Sequence, residues 1–275
     1  MIVAAMRVML VRVQEPRADA IRPPLSGVVV CLNEADRIAR CVTTLRQVCA
    51  EVLVLDSGSD DATVAIARAA GAEVEHQEWL GFATQKNSVI GRARQPWVLL
   101  LDADEWLAPS APERIRNLFA SGEIERADAW LLPRRTRFLG RTLQFGGAGN
   151  AWLPRLFRAD SRYLLARSGE RLDLRGKRCR RIKARIDHDT ARSLSEYRSK
   201  LDRYATLFAR QKHSLGHAAD GVDPVLHAVA YWLKNYLLRG GFLDGRAGFR
   251  YHASFARYVY DKYARLRRLS QDHGG

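Results

Sequence analysis

Between residues 26 and 107, two rhythms of apolar and polar positions alternate along the chain. SGVVVCLN is a short, β-branched apolar run closing on Asn33 and Glu34, the pattern of a strand buried on both faces. Ala35, Ile38, Val42, Leu45 and Cys49 then recur every three to four positions, which predicts an amphipathic helix. The pair repeats. EVLVLD reads as a second strand, and DSGSDDATVAIARAAG reads as a turn, an Asp/Ser-rich N-cap and a helix stopped at Gly71. AEVEHQ, QKNSVIGRAR and PWVLLLDAD continue as strand, helix and strand. The order βαβαβαβ implies a mainly parallel, Rossmann-like sheet flanked by helices, an α/β fold.

Beyond Leu107 the rhythm loosens. DAWLLPRRTRFLG predicts a strand and turn, residues 146–149 a glycine-rich loop, and residues 150–190 short strands among basic loops. From about Ser193 the spacing is helical again, in SLSEYRSKLDRYATLFARQ, in DPVLHAVAYWLKNYLLRG and in SFARYVYDKYARLRRL. The domain organisation expected is an N-terminal extension over 1–25, a domain over 26–190 divided at 125, and a basic, aromatic helical region over 191–275. Most aromatics of that last region are expected to pack in an ordinary core.

Composition narrows the class. The chain has 275 residues, 47% of them hydrophobic and 27% charged, which excludes collagen-like, disordered and disulfide-stapled chains. Its longest stretch free of Asp, Glu, Lys and Arg, Thr142 to Pro154, is 13 residues, too short to span a bilayer. MIVAAMRVMLVRVQEPR is interrupted by Arg7 and Arg12, so it reads as a loosely held extension or an upstream start, not a secretory signal. Cys31, Cys41, Cys49 and Cys179 show no CxxC spacing, which fits a reduced, cytoplasmic protein without a zinc site.

The net charge of +15 is unevenly placed. Residues 1–125 hold 13 Lys and Arg against 17 Asp and Glu, giving −4, and residues 126–275 hold 32 against 13, giving +19. Of the 45 basic residues 38 are arginine, whose planar fork pairs bidentately with phosphate. Such a one-sided field points to a polyanionic partner: nucleic acid, an anionic membrane or a phosphorylated substrate.

Candidate chemistry gathers at the strand ends. Asp102-Ala103-Asp104-Glu105 follows the apolar strand WVLLL directly. Strand period two is expected to put Asp102 and Asp104 on one side, at the carboxyl edge where open parallel sheets bind ligands. Two hard carboxylates there suit Mg²⁺ or Mn²⁺ bridging a diphosphate. Asp56 ends the second strand and Asn33-Glu34 the first, so three strand ends form one row. Ser59, Asp60 and Asp61 read as helix-capping residues. Lys86, in TQKN, is placed either to meet nucleotide phosphates or as a solvated helix residue.

CLNEADRIARCV, VLVLDSGSDDAT, WLGFATQKN, PWVLLLDADEWL, GGFLDGRAGF and ARYVYDKYARL together resemble family 2 glycosyltransferases, and more closely the lipopolysaccharide-core β-glucosyltransferase subgroup. The resemblance covers roughly residues 26–268. It implies a GT-A nucleotide-diphospho-sugar transferase fold, a divalent cation and inverting transfer of a hexose from a nucleotide-diphosphate donor, a UDP-sugar favoured. The implied acceptor is a lipid-linked, phosphorylated saccharide, and the implied location is peripheral, on an anionic membrane at the cytoplasmic face of the inner membrane. By the same resemblance Asn33, Glu34, Asp56, Lys86, Asp102 and Ala103 bind the nucleotide sugar, and Asp104 ligates the metal, with His188 a further ligand. The subgroup carries His-Glu followed by Arg-Leu-Glu at its catalytic base; here Ser168-Gly169-Glu170-Arg171-Leu172-Asp173 keeps the Glu and loses the His. Glu170 is therefore the expected base and Asp173 its competitor. Arg155 and Arg158 match the retained R-L-F-R segment, and with Asp173 and Asp244 they are candidates for the acceptor side.

Two other readings follow from the residues. RGKRCRRIKAR, residues 175–185, favours a basic nucleic-acid-binding protein, against which no ordered aromatic platform or recognition motif is present; no nucleic acid is expected. A sugar nucleotidyltransferase would need a Gly-rich, basic loop after the first strand, where this chain has Asn-Glu-Ala-Asp.

Overall fold

The computed structural model describes residues 22–166, 169–216 and 224–271. The N-terminal extension to residue 21 lies outside them, as do Arg167 and Ser168. The chain runs β1 (Leu25–Cys31), α1 (Ile38–Arg46), β2 (Glu51–Asp56), α2 (Thr63–Ala69), β3 (Glu73–His76), α3 (Phe82–Gly91) and β4 (Trp97–Asp102), as the alternating pattern predicts. Then follow β5 (Glu105–Leu107), α4 (Ala111–Ala120), β6 (Ala129–Phe138), β7 (Arg141–Thr142), β8 (Asn150–Arg158), β9 (Tyr163–Ala166), β10 (Gly169–Leu172), β11 (Cys179–Arg181) and β12 (Ile186–Ala191). Three long helical segments close it: α5 (Leu194–Ser214), α6 (Pro224–Trp232), which passes into a π-helical stretch to Leu238, and α7 (Gly245–Gln271).

The strands form a ten-stranded sheet ordered β3-β2-β1-β4-β8-β6-β12-β5, with β7 and β11 pairing β6, and a separate β9–β10 hairpin. The β3-β2-β1-β4 half is wholly parallel, and β8 joins it antiparallel to both β4 and β6. Period two explains its burial. Val29, Val54, Leu99 and Leu101 pack on one face against Ile38, Val42 and Leu45 of α1 and Ile115 of α4. Val28, Leu53, Leu55, Val98 and Leu100 pack on the other against Val89 and Ile90 of α3 and Tyr163 of β9.

At the C-terminal end, Ser193 caps α5 by accepting the Glu196 amide at 3.0 Å. Tyr197 of α5 stacks on Tyr251 of α7 at 5.4 Å, over Phe138 of β6. Gly241 and Gly248 of the motif GGFLDGRAGF, and Gly146 of the glycine-rich loop that meets it, are packed too tightly for larger residues. A Cβ on Gly248 would lie 2.2 Å from the Gly241 carbonyl, and one on Gly146 only 2.0 Å from His252 Nε2. The expectation that the aromatics of this region mostly form a core holds for the inner side: Tyr231 stacks on Phe255 and Trp232 on Tyr236. Several aliphatic residues of α6 are exposed, because α6 packs mainly on α7 and nothing among the described residues covers its outer side. No helix of the described residues is long and apolar enough to cross a membrane.

Candidate active site

β1, β2 and β4 run parallel and stop at one edge, where the register sets Cys31 beside Asp56 and Val30 beside Asp102. Asp56 is buried and accepts the amides of Gly58 (3.0 Å) and Ser59 (2.9 Å) and the Ser59 hydroxyl (2.5 Å). Burial works against its charge, but the Ser59 and Gly58 donors prevail and hold it below the usual carboxylate range. Asn33 sits at φ 55° and ties the β1 loop to the β2 loop, its amide donating to Ser59 Oγ (2.9 Å) and its Oδ1 accepting the Asp60 amide (3.0 Å). The Glu34 amide donates to Thr63 Oγ1 at 2.8 Å, and its carboxylate receives Arg37 Nε at 2.6 Å. Burial, then the charge of Asp104, push the Glu34 carboxyl up. All three strand-end segments thus lie in the row the sequence predicts.

Asp102 is the hub of a charged cluster. Lys86, buried on α3, reaches Asp102 Oδ1 at 3.1 Å and Glu170 Oε1 at 2.9 Å. Arg155 of β8, also buried, bridges Asp102 Oδ2 at 2.7 Å and Glu105 at 2.8 Å, and Arg134 adds a contact to Glu105 at 3.3 Å. Burial opposes the charge of Asp102, but Arg155 and Lys86 outweigh it and set the carboxyl well below its ordinary value. Burial likewise opposes the Lys86 ammonium, and Asp102 overcomes it, so the lysine titrates above its usual range. The hairpin bearing Glu170 is pinned to α3 by Asn87, whose side chain accepts the Tyr163 amide (2.7 Å) and donates to the Tyr163 carbonyl (2.9 Å). TQKN therefore docks a hairpin with Asn87 and a carboxylate pair with Lys86.

Asp104 departs from the strand-alternation argument. β4 ends at Asp102 and a turn takes residues 103 and 104, so Asp104 is held by a different set of cations from Asp102. β12 pairs with β5 so that His188 faces Glu105 in register, and the Asp189 amide donates to the Asp104 carbonyl at 3.0 Å. This lays His188 Nε2 3.3 Å from Asp104 Oδ2, with Thr190 Oγ1 3.1 Å from the other ring nitrogen. Lys200 of α5 reaches the same Asp104 oxygen at 2.7 Å. Burial is again overcome, by His188 and Lys200, and Asp104 is ionised far below the usual carboxylate range. The Asp104 carboxylate is a hard oxygen donor of the kind Mg²⁺ or Mn²⁺ takes, and here its Oδ2 is met by the His188 ring and the Lys200 ammonium. Among the described residues no group of three or more His, Cys, Asp and Glu side chains forms a cage.

The structure brings Lys86, Asp102, Arg155 and Glu170 together and sets Asp104, His188 and Glu34 beside them. Ala103 is buried in the core beneath the turn. Arg158 lies elsewhere: it pairs in register with Trp97, at the opposite end of β4, stacks on that ring at 4.2 Å and contacts Glu125. Asp173 points to Arg175 at 2.7 Å, which lowers its carboxyl to about 2. Asp244 accepts the amides of Gln144 and Phe145 at 3.0 Å, clasping the glycine-rich loop to the turn before α7. Two participants escaped the sequence reading. Glu105 was in view as the last residue of DADE, but only burial identifies it as the Arg155 anchor. Lys200 lies 96 positions from Asp104 and carries no local signal.

The sequence model described as Glycosyl transferase family 2 matches residues 26–192. The chain is 28% identical over 272 residues to the lipopolysaccharide core biosynthesis glycosyltransferase LpsC of Rhizobium meliloti, covering 90% of this chain and 96% of that one. It is 39% identical over 102 residues to an uncharacterized glycosyltransferase of Rickettsia felis, where only 37% of this chain and 36% of the relative are covered. Among solved structures, TarS 1–349 of S. aureus in complex with UDP-GlcNAc shares a TM-score of 0.47 at 12% identity, over 90% of this chain and 91% of that one.

Proposed function

The chain belongs to glycosyl transferase family 2 and is a glycosyltransferase, and from that premise we propose that it moves a hexose, with inversion, from a UDP-sugar to a phosphorylated, lipid-linked saccharide of the lipopolysaccharide core. The core assignment is supported by the near full-length match to LpsC. The observation that carries the donor site is the row of strand ends holding Asp56 and Asp102, with Asp104 and His188 at its flank.

In this reading Asn33, Glu34 and Asp56 receive the nucleoside, and Asp104 and His188 hold Mg²⁺ or Mn²⁺. Such an ion supplies positive charge against the diphosphate as it departs. Glu170 takes the proton of the acceptor hydroxyl as that oxygen attacks the anomeric carbon from the face opposite the leaving group. Lys86, bridging Glu170 and Asp102, fixes the base relative to the donor side. The Glu170 pairing also favours it over Asp173, which is turned to Arg175. The location proposed is peripheral, on the cytoplasmic face of an anionic membrane.

The direct test is sugar transfer by Asp104→Ala with Mg²⁺ or Mn²⁺ present. Loss of transfer with the fold retained is the expected result; undiminished transfer would remove Asp104 from the metal site. A thermal-shift series of UDP-, GDP- and ADP-sugars identifies the donor, since a ligand at about 100 times its Kd stabilises by about 2.7 kcal/mol. No shift with any of them would contradict the donor site.

A further inference from the structure

We infer that the outer side of α6, the π-helical stretch after it and the first turn of α7 together form the face that docks on anionic lipid. This deepens the membrane-bound part of the proposed function, and rests on it only in naming lipid as the surface from which the acceptor comes. Of the 14 large hydrophobic residues exposed among the described residues, ten fall between Val225 and Tyr260. Val229, Leu233 and Leu237 are each nearly half exposed, Leu238 is 84% exposed, and Phe242 and Phe249 follow on the next turns. They lie close together: Tyr236 is within 6.4 Å of the Phe242 ring and 6.0 Å of the Phe249 ring. A groove of about 330 Å³ opens between α6 and α7 beside Val229 and Trp232. An apolar patch of this extent is rare on a protein with no partner.

Charge selects the partner. Lys234, Arg239, Arg246 and Arg250 are exposed around these side chains. The acid of the same stretch, Asp244, is turned away to the Gln144 and Phe145 amides. Apolar residues rimmed by cations form the pattern of an interfacial helix, whose aliphatic side chains enter the headgroup boundary while the cations meet lipid phosphates. Two other occupants lack the complementary charge. A second copy would oppose the same cations, and residues 1–17 carry Arg7, Arg12 and Arg17 against Glu15 alone. The face also has a path to the site. α6 packs on α7, α7 packs on α5 through Tyr251 and Tyr197, and α5 carries Lys200 to Asp104.

The test is cosedimentation of the full chain with phosphatidylcholine vesicles made with and without phosphatidylglycerol, across a salt series. Partitioning is expected only with the anionic lipid and is expected to fall as salt rises, by roughly fivefold for each cation screened. The triple substitution Leu233→Asp, Leu237→Asp, Leu238→Asp is expected to weaken it by at least about tenfold per side chain removed. Arg246→Gln with Arg250→Gln, which leaves every apolar contact in place, is expected to flatten the salt dependence. Absence of partitioning, partitioning that ignores the triple substitution, or a self-association abolished by that substitution while vesicle binding persists would each overturn the inference. Affinity for UDP-sugar, read separately in the same variants, is expected to be unchanged. Failure of vesicle binding with donor binding intact counts against this face alone, and failure of donor binding with vesicle binding intact counts against the transferase site alone.

Discussion

Lys86→Met tests whether the charged cluster is organised by one buried ammonium. Methionine keeps the stem of the lysine and removes its charge. Asp102 would keep Arg155 at 2.7 Å, whereas Glu170 would lose the cation at 2.9 Å that holds it. Removing one partner of a buried ion pair costs about 3–5 kcal/mol. That range needs discounting here, because the Asp102 side chain is 37% exposed and that of Glu170 20% exposed, so water screens both. About 2 kcal/mol remains, a factor of about 30 in the unfolding equilibrium. Urea denaturation of both proteins from pH 6 to 11 measures it. Lys86 titrates above its ordinary value when folded, so its contribution is complete below the unfolded value near 10.4 and is lost as pH rises through the folded one. The gap between the proteins should therefore be constant from pH 6 to 9 and begin to narrow only above about pH 10. A double-mutant cycle with Glu170→Gln should show a coupling of about 1 kcal/mol or more. A gap under about 0.5 kcal/mol at pH 7, or one that shrinks between pH 6 and 9, would refute the buried-pair reasoning.

Further outcomes follow from single contacts. Asn87→Leu removes both hydrogen bonds to the Tyr163 backbone, so amide exchange over residues 169–172 should quicken about 30-fold, from roughly 2 kcal/mol of lost anchoring; unchanged exchange would show that the hairpin is held by other means. The same substitution should lower kcat while leaving donor affinity intact. Gly146→Ala puts a Cβ 2.0 Å from His252 Nε2 at φ +67°, and should cost about 3 kcal/mol, a fall in Tm of roughly 6–12 °C by calorimetry. Asp56, Asp102 and Asp104 are all depressed when folded, so their stabilisation is present above the unfolded value near 3.9 and is lost as pH falls through the folded ones. Urea midpoints should accordingly drop below about pH 4; in Asp56→Asn, whose turn donors lose their charged acceptor, that acid-side drop should be smaller, and an equal drop would contradict the assignment.

The sequence by itself determined the parallel half of the sheet and the residues at its carboxyl edge. Those features are local: period two fixes which face a strand residue takes, period 3.6 fixes which helix face is buried, and a polar residue after an apolar run marks the strand end. Asn33, Asp56 and Asp102 could therefore be placed before any coordinates. Where the regular period stopped, so did the reading. Asp104 was expected beside Asp102, but a turn intervenes and hands it to Lys200 and His188, which arrive from α5 and β12. Only tertiary structure could decide that Arg155 belongs to the Asp102 cluster and Arg158 to Trp97, although the two arginines are three residues apart on one strand. Asp244, a candidate for the acceptor side, is an acceptor for two backbone amides 100 and 99 positions away. The helical spacing of α6 was legible, but not which of its sides would be covered. Whether an apolar stripe is covered depends on what else the chain can bring to it, and here α7 covers one side and leaves the leucines of the other in the open.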